Sequence, residues 1–178
     1  MIDYPFSPLR AALFVVLALS SVYFNLMPLQ TTAETLVMPD ILVALAAAWI
    51  IRRPQSMPLL LTAGLFLLAD FLMDRPVGLW ALIALLIVEF MRGQRDTLRN
   101  RPFPAEWAAF AGALAVGLIV EALVLQLTLV DRPGGDIPLQ LFAVTVVSYP
   151  VIVLLLHAVF RIRAPKPAER SARLGRVV

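Results

Sequence analysis

Asp40, Asp70 and Glu121 each lie inside or at the rim of a long apolar run, where a carboxylate has the clearest capacity for chemistry in this chain. An ionised carboxylate facing hydrocarbon is costly, so each is expected to face water, a cation, a buried partner or another protein. Together the three could line a cavity for a cationic or polar metabolite. The plainer alternative is structural: Asp40 caps the helix that follows it, Asp70 pairs with Arg75, and Glu121 is protonated or hydrogen-bonded within the protein. His157 could relay protons alongside Glu121, or simply form a hydrogen bond near an interface. Glu89 and Arg92 stand three residues apart, a spacing worth roughly a few tenths of a kcal/mol as a helical ion pair.

Other chemistries lack their residues. There is no Ser/His/Asp order, no HExxH, no Gly-rich phosphate loop and no His/carboxylate cluster at ligand spacing. The chain has no Cys, which removes thiol catalysis, disulfides and Cys-based metal sites. No catalytic residue, cofactor or metal is therefore expected, and nothing points to nucleic acid.

The elements that must position the carboxylates are apolar on every face. Of 178 residues, 61% are hydrophobic and 15% charged, and the mean hydropathy is +0.87. Soluble domains carry about a quarter charged residues, so this composition predicts an all-α polytopic membrane protein. Six spans are expected, at about 9–29, 36–51, 57–73, 77–91, 104–130 and 138–160, in one membrane domain over 1–162. A basic tail over 163–178, with Pro165, Pro167 and Gly175, is expected to be disordered. The run Leu9 to Leu29 exceeds the roughly 7–15 residues of a signal-peptide core and is read as a retained span.

The second span is short. From Pro39 to Ile51 a helix reaches roughly 20 Å, against about 30 Å of hydrocarbon. A short helix opening at Pro39-Asp40 is preferred to a longer one kinked at Pro39, because Asp40 then meets the positive end of the helix dipole. Spans three and four are read as a hairpin, since a single helix would hold Asp74-Arg75-Pro76 at mid-membrane at about 2.5–3.5 kcal/mol per charge. Pro150 is expected to kink the last span.

Basic residues set the orientation. With six spans, one side receives Arg10, Arg52, Arg53, Arg92, Arg95, Arg99, Arg101 and all six basic residues after Phe160, while the other receives only Arg75 and Arg132. The positive-inside bias then puts both termini in the cytoplasm. The loop Arg92–Arg101 and the tail are read as topology signals attracted to anionic lipid. On span five, Ala105, Ala109, Ala113, Gly117 and Glu121 recur every fourth residue, and Ala44 and Ala48 repeat the device after Asp40. Such small-residue seams permit close helix approach, either between spans two and five or against another protein.

Between Pro39 and Met91 the chain resembles the MreD family of bacterial rod-shape-determining membrane proteins. The matching features are Pro39-Asp40, Trp49 with Arg52-Arg53-Pro54, Asp70 near the end of span three, and Pro76-Val77-Gly78 opening span four. Phe66 and Asp74 stand where the family often has Gly. The resemblance implies a six-helix, N-in/C-in fold similar to the substrate-binding subunits of energy-coupling-factor transporters, in the bacterial inner membrane. It also implies a non-enzymatic component of the peptidoglycan elongasome that maintains cell shape. MreC would be the first partner, with RodA, a class B penicillin-binding transpeptidase and MreB as others. The rival expectation is a small-molecule-binding subunit of an uptake system, using Asp40, Asp70 and Glu121. A proton-coupled transporter ranks third, because no inverted repeat is visible.

Overall fold

The computed structural model describes residues 7–27, 37–73, 75–128 and 137–158, and all its regular structure is helical. Seven α-helices follow in order: α1 (Pro8–Leu26), α2 (Ile41–Arg52), α3 (Leu59–Leu72), α4 (Leu79–Gly93), α5 (Arg95–Arg99), α6 (Phe103–Leu127) and α7 (Ile137–Ala158), with a 3-10 turn at Pro54–Ser56 after α2. Three of them, α1, α6 and α7, are long and apolar enough to cross a membrane. The six expected spans correspond to α1–α4, α6 and α7; the intervals 28–36 and 129–136 and the basic tail fall outside the described residues.

α2 is the axis of the bundle. Every one of its residues except Ile41 is buried, and α1, α4 and α7 pack around it. This accounts for a helix without an amphipathic stripe: it has no outer face to make polar. At ~1.5 Å per residue it is roughly 18 Å long. That length need not match a bilayer, because its neighbours rather than lipid enclose it. The helix begins at Ile41 with Asp40 as its N-cap, as the preferred short helix opening at Pro39-Asp40 requires; the span bound near residue 36 is too early, since residues 37–40 lie outside the helix.

Large packed side chains tie the layers together. Phe14 of α1 meets Trp49 of α2 at 5.4 Å between ring centroids, and Trp49 Nε1 donates to Ser56 Oγ (2.9 Å) in the turn that follows. α3 lies on α4 and α1, while α6 lies on α4 and α7. Pro150 sits inside the continuous helix α7.

The outer surface is apolar. Val16 and Tyr23 of α1, Leu60 and Phe71 of α3, Leu82 and Leu86 of α4, Ile119 of α6 and Leu154 of α7 are all exposed. Contiguous exposed apolar surface on this scale would drive aggregation in water and suits hydrocarbon.

The basic segment after α4 departs from the expected loop. Residues Arg95–Arg99 form a short helix with Leu98 buried, so the segment is folded onto the bundle.

Candidate functional site: two polar clusters along the central helix

Asp40 organises the first cluster, at the start of α2. As the N-cap residue its Oδ1 accepts from Val43 N at 3.2 Å, satisfying one of the backbone donors that a helix start leaves open. Oδ2 accepts from Trp80 Nε1 at 2.8 Å and from Arg75 at 3.2 Å. The Asp40 amide donates to Thr145 Oγ1 of α7 at 3.0 Å. Arg75 also lies over the Trp80 ring, 5.6 Å from its centroid, a cation–π contact that holds the guanidinium in place. Asp40 thus joins α2, the α3–α4 turn and α4 through its carboxylate, and α7 through its amide.

Asp70, near the end of α3, is completely buried. Its Oδ2 accepts from Gly78 N at 3.0 Å and Ala81 N at 2.9 Å, so it caps α4 from across the turn. Gly78 makes this possible: its φ of +90° is left-handed backbone that a residue with a Cβ adopts at a cost. The expected Asp70–Arg75 side-chain pair is not formed; Arg75 pairs with Asp40, and Asp70 binds amides instead. The reason is geometric, because the tight turn aims the start of α4 at Asp70 and leaves Arg75 free to reach α2. Oδ1 of Asp70 is buried without a hydrogen-bond partner among the described residues.

Glu121 stands apart. It is half-buried on α6, lies within electrostatic range of Arg75, Asp40 and Asp70, and makes no hydrogen bond among the described residues. The three expected carboxylates therefore do gather at one end of the bundle, but two of them are engaged by the protein's own donors.

The second cluster lies toward the end of α2, and reading the sequence did not find it. Arg52 folds back along α2, donating to Ala48 O at 2.7 Å, and forms a two-pronged pair with Glu106 of α6 at 2.8 and 3.3 Å. Tyr149 of α7 donates to the same carboxylate at 2.7 Å, with Phe110 stacked on its ring at 4.3 Å. The Arg52 side chain is only 3% exposed and that of Glu106 11%. Arg52 entered the sequence reading as a surface charge marking orientation; it is a buried cation whose parallel N–H groups match a carboxylate. Two signals could have revealed it: Glu106 opens span five at the depth where Arg52 closes span two, and Tyr149 is the one phenol in span six.

Other arginines at this end act on backbone. Arg99 donates to the carbonyls of Ile51 (2.8 Å) and Arg52 (3.0 Å), closing the last turn of α2, where open carbonyls favour a cation. Arg92 donates to Met57 O at 2.8 Å and pairs with Glu89 at 3.2 Å. Arg95 lies 3.6 Å from Asp96, Arg53 is half-buried, and Arg101 is exposed. His157 is half-buried near the end of α7.

The small-residue seams do not pack spans two and five chiefly against one another. Ala44 and Ala48 are fully buried in α2, but α6 packs on α4 and α7 rather than chiefly on α2. A Cβ on Gly117 would come within 2.9 Å of both Ile83 and Ile87, so that glycine lets α4 and α6 touch. Ala109 and Ala113 line an open groove beside the same contact.

Among the described residues, no three His, Asp or Glu side chains stand together as metal ligands. No protein-family model, curated protein or solved structure matches the chain. Both clusters join helices through several hydrogen bonds each, an arrangement that fixes helix positions.

Proposed function

We propose that this chain is a six-span protein of the bacterial inner membrane, with both termini in the cytoplasm, and that it acts as a non-enzymatic scaffold of cell-wall elongation. The resemblance to the MreD family supplies the biological setting. The observation that carries the scaffold role is the distribution of polarity: Asp40, Asp70, Arg52 and Glu106 are taken up by bonds between helices. The outward faces of α1, α3, α4, α6 and α7 are meanwhile large and apolar. A protein built this way offers rigid helix surfaces in the plane of the membrane, which suits docking of other membrane helices. MreC is the first partner on this reading, followed by RodA, a class B penicillin-binding transpeptidase and MreB.

The uptake-subunit alternative needs free acceptors around Asp40 and Asp70. Val43, Trp80 and Arg75 bond both oxygens of Asp40, and the amides of Gly78 and Ala81 bond one oxygen of Asp70, so Asp70 Oδ1 is the one acceptor of the two carboxylates left open among the described residues, which favours the scaffold.

Depletion of the protein in a rod-shaped host tests the reading. Cells are expected to round up, and MreC to co-purify with the tagged protein in mild detergent. Cells that stay rod-shaped together with failure to retain MreC would reject it.

A further inference from the structure

Pro150 opens a gap in the hydrogen-bond ladder of α7. Its nitrogen carries no proton, so the carbonyl four residues back, that of Val146, loses its intrahelical donor. A carbonyl left open in hydrocarbon is costly, and a proline inside a spanning helix is tolerated where a neighbouring helix supplies the missing bond. Even so, α7 runs unbroken from Ile137 to Ala158.

The donor comes from α6. Trp107 Nε1 donates to Val146 O at 2.9 Å, the same carbonyl that Pro150 leaves open. The residue beside Trp107 holds the residue beside Pro150: Glu106 accepts from the Tyr149 hydroxyl at 2.7 Å. Phe103 and Phe110 flank the Tyr149 ring, at 6.4 and 4.3 Å between centroids. Positions 103, 106, 107 and 110 make up one face of a helix, so a whole face of α6 is given over to the proline site.

The two sides of Pro150 are held differently. Before it, α7 is pinned by directed bonds, from Tyr149 to Glu106 and from the Asp40 amide to Thr145 Oγ1. Beyond it, Ile152, Val153 and Leu156 are buried in apolar packing, the kind of contact along which helices slide. Val151, Leu154 and Leu155 of this second segment are exposed, so its position sets the contour of part of the apolar surface. Trp107 is itself 38% exposed, which places the bond at the edge of the bundle rather than in its core.

We propose that α7 contains a hinge at Pro150 and that the Trp107 indole latches it. With the bond to Val146 made, residues 151–158 are held in one position; with it opened, they swing about the proline. This goes beyond the scaffold reading and does not depend on it.

The test uses the full chain in phosphatidylcholine vesicles. The chain has no Cys, so spin labels go on two introduced cysteines, Leu60→Cys on α3 and Ala158→Cys at the end of α7, both exposed positions. A bend of about 20° at Pro150, the onset of a sharp kink, moves the end of a segment roughly 12 Å long by about 4 Å. With Trp107 intact, the distance between the labels is expected to be single and narrow. Trp107→Phe keeps an aromatic ring and removes the donor, and is expected to shift or broaden that distance by about 4 Å. Pro150→Ala returns an N–H to Val146 O, so the double variant Trp107→Phe/Pro150→Ala is expected to give the narrow distance again. A broad distance with Trp107 intact, an unchanged one in Trp107→Phe, or equal broadening with and without Pro150→Ala overturns the proposal. Should Trp107→Phe fail to fold, the double variant decides: recovery of the folded protein supports the latch, and continued failure shows that the indole serves packing alone and overturns it.

Discussion

Glu106 is bonded by two different helices at once, through Arg52 of α2 and Tyr149 of α7. Removing one member of such a buried pair strands the other charge, a loss of about 3–5 kcal/mol. Glu106→Ala is therefore expected to lower the melting temperature of the detergent-solubilised protein sharply, and the double variant Arg52→Leu/Glu106→Leu to recover most of the loss. Equal damage in the single and double variants would show that the pair is not what holds these helices. Asp70 gives a second test, because it acts as an acceptor for two buried amides. Asp70→Ala should cost about 1–3 kcal/mol, whereas Asp70→Asn keeps an acceptor oxygen and should cost less. The carboxylates at the Asp40 end were visible in the sequence because each interrupts a greasy run. Glu106 was not, since an acid in a first helical turn beside Pro104 reads as an ordinary interfacial charge until α2 and α6 are brought together.

At the scale of elements, the chain announces its helix starts better than its contacts. Pro39-Asp40 and Pro76-Val77-Gly78 mark the beginnings of α2 and α4 through capping and a left-handed turn, both local effects. α5 was missed because five residues carry too little periodicity to distinguish a short helix from a basic loop. Which helix the Gly117 seam would meet was equally hidden, as an every-fourth-residue pattern names a face and not its neighbour. That contact is testable: Gly117→Leu would drive a side chain into Ile83 and Ile87, already 2.9 Å from a Cβ, and overpacking of this kind costs about 1–3 kcal/mol or more. The same substitution at Gly112, where a Cβ would meet nothing within 4 Å, should leave the melting temperature nearly unchanged. Similar losses at both positions would mean that α6 sits differently against α4.

At the scale of the molecule, the arrangement is a short, fully enclosed helix surrounded by helices with apolar outer faces. Composition made the membrane environment legible, because 61% hydrophobic with 15% charged residues lies well away from soluble usage. The central place of α2 followed less directly, from its lack of any polar face. Three of the arginines counted toward orientation, Arg52, Arg92 and Arg99, also bond helix ends or a buried acid, so their placement has a packing cause that is separate from the orientation expected of them. Separating these requires knowing which side of the membrane the α5 segment faces. The native chain has no Cys, so a single introduced cysteine reports cleanly. Asp96→Cys, exposed on α5, should resist a membrane-impermeant maleimide in intact cells and react once the inner membrane is permeabilised, with Val77→Cys showing the opposite pattern. Labelling of Asp96→Cys from outside intact cells would contradict the six-span, termini-inside arrangement and the scaffold built upon it.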